Sequence, residues 1–192
     1  MLQTGALPTE LRMLINRSMK KIIPLFLLCG CGLINDIELT DYVRKDVPKY
    51  PEHLRTVEAF LGYNENDSGD RAILKDFMNI DPVHYEWCAA FVNAVLHLEN
   101  IPGSESVHEN PLMARSFLAW GQRVETPKLG DVVVFQRGNS NWKGHVGFYM
   151  RTVRKDGKEY YLIAGGNQND QVSYELYPTS KVLSIRRWVE SS

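Results

Sequence analysis

Cys88 opens the run Trp87-Cys88-Ala89-Ala90-Phe91-Val92, whose small and apolar residues read as the first turns of a buried helix. A thiol at that position faces the positive end of the helix dipole and unpaired amide N–H groups, which favour thiolate over thiol. Free cysteine is also among the most buried residue types, so a packed, inert thiol is the competing reading. A nucleophilic cysteine needs a base to take its proton and a third group to orient that base. Of the five histidines, His145 follows Lys143-Gly144 and begins the alternating run Val146-Gly147-Phe148-Tyr149-Met150. A ring at a strand start can stand at the edge of a cleft while the sheet fixes its backbone. His53, His84, His97 and His108 lack that setting. Downstream, Gly165-Gly166-Asn167-Gln168 ends a further apolar run. Asn167 is the candidate orienting residue, because its amide oxygen can accept an imidazole N–H and the two glycines allow close backbone approach. Gln168 is the alternative.

Helices must position the cysteine and strands the histidine. Leu54, Val57, Phe60 and Leu61 recur at helical spacing until Gly62, and Ile73, Leu74, Phe77, Met78 and Ile80 form a second amphipathic stretch closed by Asp81-Pro82. The acidic loop 64–70 fails the EF-hand pattern and reads as a cap for that second helix. The Cys88 helix ends before Ile101-Pro102-Gly103, and a further helix is expected from about Asn110 to Trp120. After Gly121 the period becomes strand-like. Five strands are expected, over residues 131–135, 145–150, 160–164, 172–176 and 182–186, with Lys155-Asp156-Gly157-Lys158 as a hairpin turn. Helices first and strands afterwards predict an α+β architecture.

The 192 residues carry a formal charge of -1 and no long basic run, which gives no electrostatic footprint for nucleic acid. Three cysteines are too few for a disulfide framework or a four-ligand zinc site, and no metal is expected. Two of them close an export-like segment: Met19-Lys20-Lys21, then Ile22-Ile23-Pro24-Leu25-Phe26-Leu27-Leu28, then Cys29-Gly30-Cys31. The apolar stretch is short for a membrane span. It is similar to the lipobox of bacterial lipoproteins, with Cys31 the acylated residue, although Cys29 stands where a smaller residue is commoner. On this reading residues 1–31 are an upstream segment plus a lipoprotein signal peptide starting at Met19, residues 32–51 a tether, and residues 52–188 the folded domain. The expected location is the periplasm or cell envelope, lipid-anchored at the outer membrane. Cys88 then remains the one free thiol in an oxidising compartment.

Five motifs in order, Trp87-Cys88-Ala89-Ala90-Phe91-Val92, Ala114-Arg115-Ser116-Phe117, Gly130-Asp131-Val132-Val133-Val134-Phe135, Gly144-His145-Val146-Gly147-Phe148-Tyr149 and Gly165-Gly166-Asn167-Gln168, resemble the papain-like NlpC and CHAP superfamily of cell-wall amidases and endopeptidases. The resemblance covers residues 52–188. It implies a papain-like fold with the cysteine helix packed on an antiparallel sheet, Cys88 as nucleophile, His145 as base, and Asn167 as orienting residue with Gln168 in reserve. It also implies peptidoglycan as substrate and needs no cofactor. Trp87, Trp142, Lys143 and Arg137 are the candidate groove residues, the two cations meeting peptide carboxylates of an anionic wall polymer. Glu86, beside the cysteine, is expected to face solvent. The rival functions are an inactive peptidoglycan-binding lipoprotein and a thiol-dependent acyltransferase. An inhibitor or immunity partner is left open.

Overall fold

A computed structural model describes residues 50–189. The export-like segment with Cys29 and Cys31, and the tether as far as residue 49, lie outside the described residues. Among the described residues, three α-helices precede a six-stranded antiparallel sheet: α1 (Glu52–Ala59), α2 (Ser68–Met78), α3 (Cys88–Leu98), then β1 (Gln122–Val124), β2 (Val132–Gln136), β3 (Gly144–Lys155), β4 (Lys158–Gly165), β5 (Ser173–Pro178) and β6 (Val182–Arg187). The α+β architecture matches the sequence expectation.

The acidic loop caps α2: Asp67 Oδ1 accepts N–H bonds from Gly69 at 2.9 Å and Asp70 at 3.0 Å, satisfying donors that the first helical turn leaves open. The helix stops at Asn79, which is left-handed at φ 54°, and not at Asp81-Pro82. Asp81 instead holds Arg71 through two bonds of 2.8 and 2.9 Å. The helix expected over residues 110–120 is a 3₁₀ segment, Ala114–Leu118. Its approach is committed elsewhere. The Pro111 carbonyl accepts from Asn93 Nδ2 on α3 at 3.0 Å, and Ser116 Oγ donates to buried Ser104 Oγ at 2.7 Å. The sixth strand, β1, pairs with β6 and was not foreseen, because three residues with two exposed carry no alternation to read.

The strands lie in the order β1-β6-β2-β3-β4-β5. In a flat sheet β2 and β5 would stand about 14 Å apart. Yet the Phe135 and Tyr177 rings stack with centroids 4.8 Å apart, so the sheet curls strongly. Its inner face holds Val133, Phe135, Tyr149, Ile163 and Ile185. The alternate face, with Val132, Val134, Val146, Phe148 and Ala164, is equally buried, and α3 packs against β3 there. The expected hairpin turn links β3 to β4, with Asp156 at φ 51° and Gly157 at φ 71°, the pair of positive φ values that a tight two-residue hairpin requires.

Candidate active site

Cys88 is the first residue of α3 and is 2% exposed. Its N–H is one of the donors that a helix start leaves without an acceptor in the helix. The sulfur meets the backbone N–H groups of Val146 and Ala89, which favour the thiolate, as does the Arg137 charge. Burial outweighs them and pushes the thiol above its ordinary pKa, with Glu86 adding to the rise. The helix N-terminus does not by itself overcome desolvation.

The Val146 contact puts the sulfur one residue along β3 from His145, which is also 2% exposed. His145 Nε2 lies 3.1 Å from Gln168 Oε1. The orientation of that amide follows from its other neighbours. Its nitrogen reaches the Ser173 carbonyl at 2.6 Å and the Ile163 carbonyl at 3.4 Å, and carbonyls only accept, so the NH₂ must point at them. The amide oxygen therefore faces the ring, and His145 carries its proton on Nε2. Nδ1 is left with a lone pair, and among the described residues nothing hydrogen-bonds to it. Tyr177 from β5 lies parallel to the ring, centroids 4.8 Å apart and 11° between planes. Strands β3 and β5 and the β4–β5 connection thus hold one imidazole.

Burial lowers the His145 pKa to about 4, the Gln168 bond opposing and the Arg137 charge reinforcing the fall. The resting pair is therefore a neutral thiol and a neutral imidazole. A folded-state pKa below the unfolded value means that the fold binds fewer protons, so this contribution to stability is present above about pH 6.5 and is lost as pH falls toward 4. The loss is expected to approach about 3 kcal/mol, with His53, also lowered by burial, acting in the same direction. Urea midpoints between pH 7 and 4.5 measure it, and His145→Gln should flatten the slope; an unchanged slope would refute the assignment.

Asn167 does not reach the ring. It is left-handed at φ 56°, as are Asn169 at 55° and Asp170 at 61°, a conformation that Asn and Asp tolerate better than other side chains. This run of turns sends Asn167 outward and Gln168 inward. Asn167 Nδ2 donates to Glu86 Oε2 at 3.0 Å, and Arg137 Nη1 donates to the same oxygen at 2.6 Å. Glu86 is exposed as expected but is engaged at the rim. Trp87 is fully buried and is not a groove residue. Its indole N–H bonds Glu65, and its ring lies beneath Gly166. Trp142 is 61% exposed, with Lys143 Nζ 5.2 Å from its ring centre. Both sit on the loop between β2 and β3, which Arg115 ties down through the Ser140 and Lys143 carbonyls at 2.9 and 3.0 Å. The site roles of Tyr177, Ser173 and Arg115 were not foreseen: Tyr177 and Arg115 act through contacts distant in sequence, and Ser173 through a loop that turns Gln168 back onto it, none of which local spacing encodes.

The family model described as CHAP domain matches residues 80–167, from ahead of Cys88 to Asn167. Over that stretch the chain is similar to CHAP domains. CHAP domains are generally hydrolases of the amidase or peptidase type, with peptidoglycan as substrate. The match stops one residue short of Gln168, and the β5 and β6 strands that complete the sheet lie beyond it. No curated protein and no solved structure matches the chain.

Proposed function

We propose that the chain is a cysteine-dependent peptidoglycan amidase or endopeptidase in which Cys88 is the nucleophile, His145 the base and Gln168 the orienting residue. The observation carrying this reading is the pairing of a helix-start thiol against Val146 N–H with a neighbouring imidazole whose only unpartnered nitrogen is the proton-accepting one. As substrate enters, the Cys88 proton passes to His145 Nδ1 and the sulfur attacks the amide carbonyl carbon. The Cys88 N–H helps hold the resulting oxyanion. His145 returns the proton to the leaving amine as the C–N bond breaks. It then takes a proton from water, whose oxygen attacks the acyl carbon; the C–S bond breaks, the acid product leaves, and His145 returns the proton to the sulfur. Desolvation, which makes the thiolate costly at rest, strengthens the oxyanion contact once substrate fills the site.

Protein comprising residues 32–192, incubated with purified peptidoglycan, is expected to release muropeptides together with one new free amine per cut. Acyl transfer without wall hydrolysis would overturn the hydrolase reading in favour of an acyltransferase, and pelleting with the wall without release would leave a binding protein. Cys31 is the proposed lipid-anchor residue, holding the enzyme in the cell envelope; the mass of the mature N-terminus tests this.

The pinned amide makes a separate prediction. Gln168→Leu keeps the volume but removes the acceptor that selects the Nε2–H tautomer, and kcat should fall about ten- to a hundredfold with KM little changed. Gln168→Asn, one methylene short, should recover little of it. Full activity in Gln168→Leu would exclude the orienting role.

A further inference from the structure

The rim above the buried pair has a feature that the hydrolytic reading does not use. Glu86 Oε2 receives two donors from separate loops, Arg137 Nη1 from the end of β2 at 2.6 Å and Asn167 Nδ2 from the β4–β5 connection at 3.0 Å. The side chains of Glu86 and Arg137 are 75% and 46% exposed. We propose that Arg137 and Asn167 form a subsite for a substrate carboxylate next to the scissile amide, and that Glu86 occupies it in the absence of substrate.

Three observations carry this. The two donors converge on one carboxylate oxygen, the geometry that a charge-assisted clamp needs. The Arg137 charge acts on the Cys88 sulfur, on His145 and on Tyr177, so its guanidinium lies within electrostatic reach of the reacting atoms. Finally, the internal pair is exposed, and exposed ion pairs hold weakly. Glu86 is therefore a displaceable occupant. A bound peptide would cover the rim and exclude water, and the same two donors would hold its carboxylate more strongly than they hold Glu86.

The inference rests on the cysteine-hydrolase reading and is tested apart from it. Two muropeptide probes are compared, identical except for a free carboxylate or a carboxamide on the residue next to the cleaved amide. Arg137→Gln should lower the acid-to-amide ratio of kcat/KM about tenfold or more, Arg137→Lys should recover part of it, and Glu86→Gln should raise it. An unchanged ratio in Arg137→Gln overturns the subsite even if both probes are cut. If neither probe is cut, the hydrolase reading has failed, and alkylation of Cys88 decides the subsite. Iodoacetate and iodoacetamide each form an S–C bond and expel iodide, differing only in the carboxylate. Their rate ratio should rise in Glu86→Gln and fall in Arg137→Gln; ratios that do not move overturn the proposal.

Discussion

Alanine at position 88 is expected to abolish muropeptide release, a fall of about four decades or more, since removing a nucleophile from an acyl-transfer site removes the covalent route altogether. The fold should survive. Cys88 begins α3, where alanine is a good helix former, and the neighbours Ala89 and Ala90 are equally small. Loss of a buried sulfur costs about 1 kcal/mol by the usual cavity reckoning. Matched melting curves for the variant and the parent, together with loss of alkylation by iodoacetamide, separate chemistry from stability. Cys88→Ser is the stricter test, because it retains shape and polarity and lacks only the thiol's nucleophilicity. Residual release by either variant at more than about a tenth of the parental rate would rule out Cys88 as nucleophile.

Gly166→Val is expected to give the largest loss of stability. Even a single Cβ at this position would stand 2.3 Å from one Trp87 ring carbon, 2.7 Å from another and 2.9 Å from Phe91 Cβ. None of these can retreat: Trp87 and Phe91 are fully buried, and the indole is tied to Glu65. Overpacking of this kind costs about 3 kcal/mol or more, which for a unit of this size lowers the melting temperature by roughly 6–12 °C. Activity should fall further than stability alone explains, because Gln168 is two residues along the same loop and must move with it. Gly166→Ala should show the same effects to a lesser degree. A melting temperature within a degree of the parent would mean that the loop has slack, and that glycine is there for another reason.

These two sites also mark what the sequence can convey. The Cys88 helix and the His145 strand were readable because each has a local signature, a run of small and apolar residues for one and a short β-branched and aromatic run after Gly144 for the other. The hairpin at Asp156-Gly157 was readable because only certain residues accept its backbone angles. Asn167 and Gln168 are adjacent, carry the same amide, and follow the same pair of glycines; which of them turns inward is decided by left-handed residues at 167, 169 and 170 and by the carbonyls of Ile163 and Ser173. Local spacing holds none of that. Trp87 looked like a groove residue because an aromatic beside a nucleophile suits either role, and only burial separates them. The helix expected at 110–120 lost to hydrogen bonds made by Asn93 and Ser104, well before it in the chain. Strand β1 was too short to have a period.

The exposure of the site residues divides them into two groups. Cys88, His145, Gln168, Trp87 and Gly166 are locked into layers where neighbours on several strands constrain each atom. Glu86, Arg137, Trp142 and Lys143 stand in solvent on loops. Change in the first group is penalised by the fold itself, whatever the substrate. Change in the second is nearly free of that penalty. On the proposed reading, rim residues can therefore be exchanged singly, to suit a wall of different chemistry, without disturbing the packing that holds Cys88 and His145.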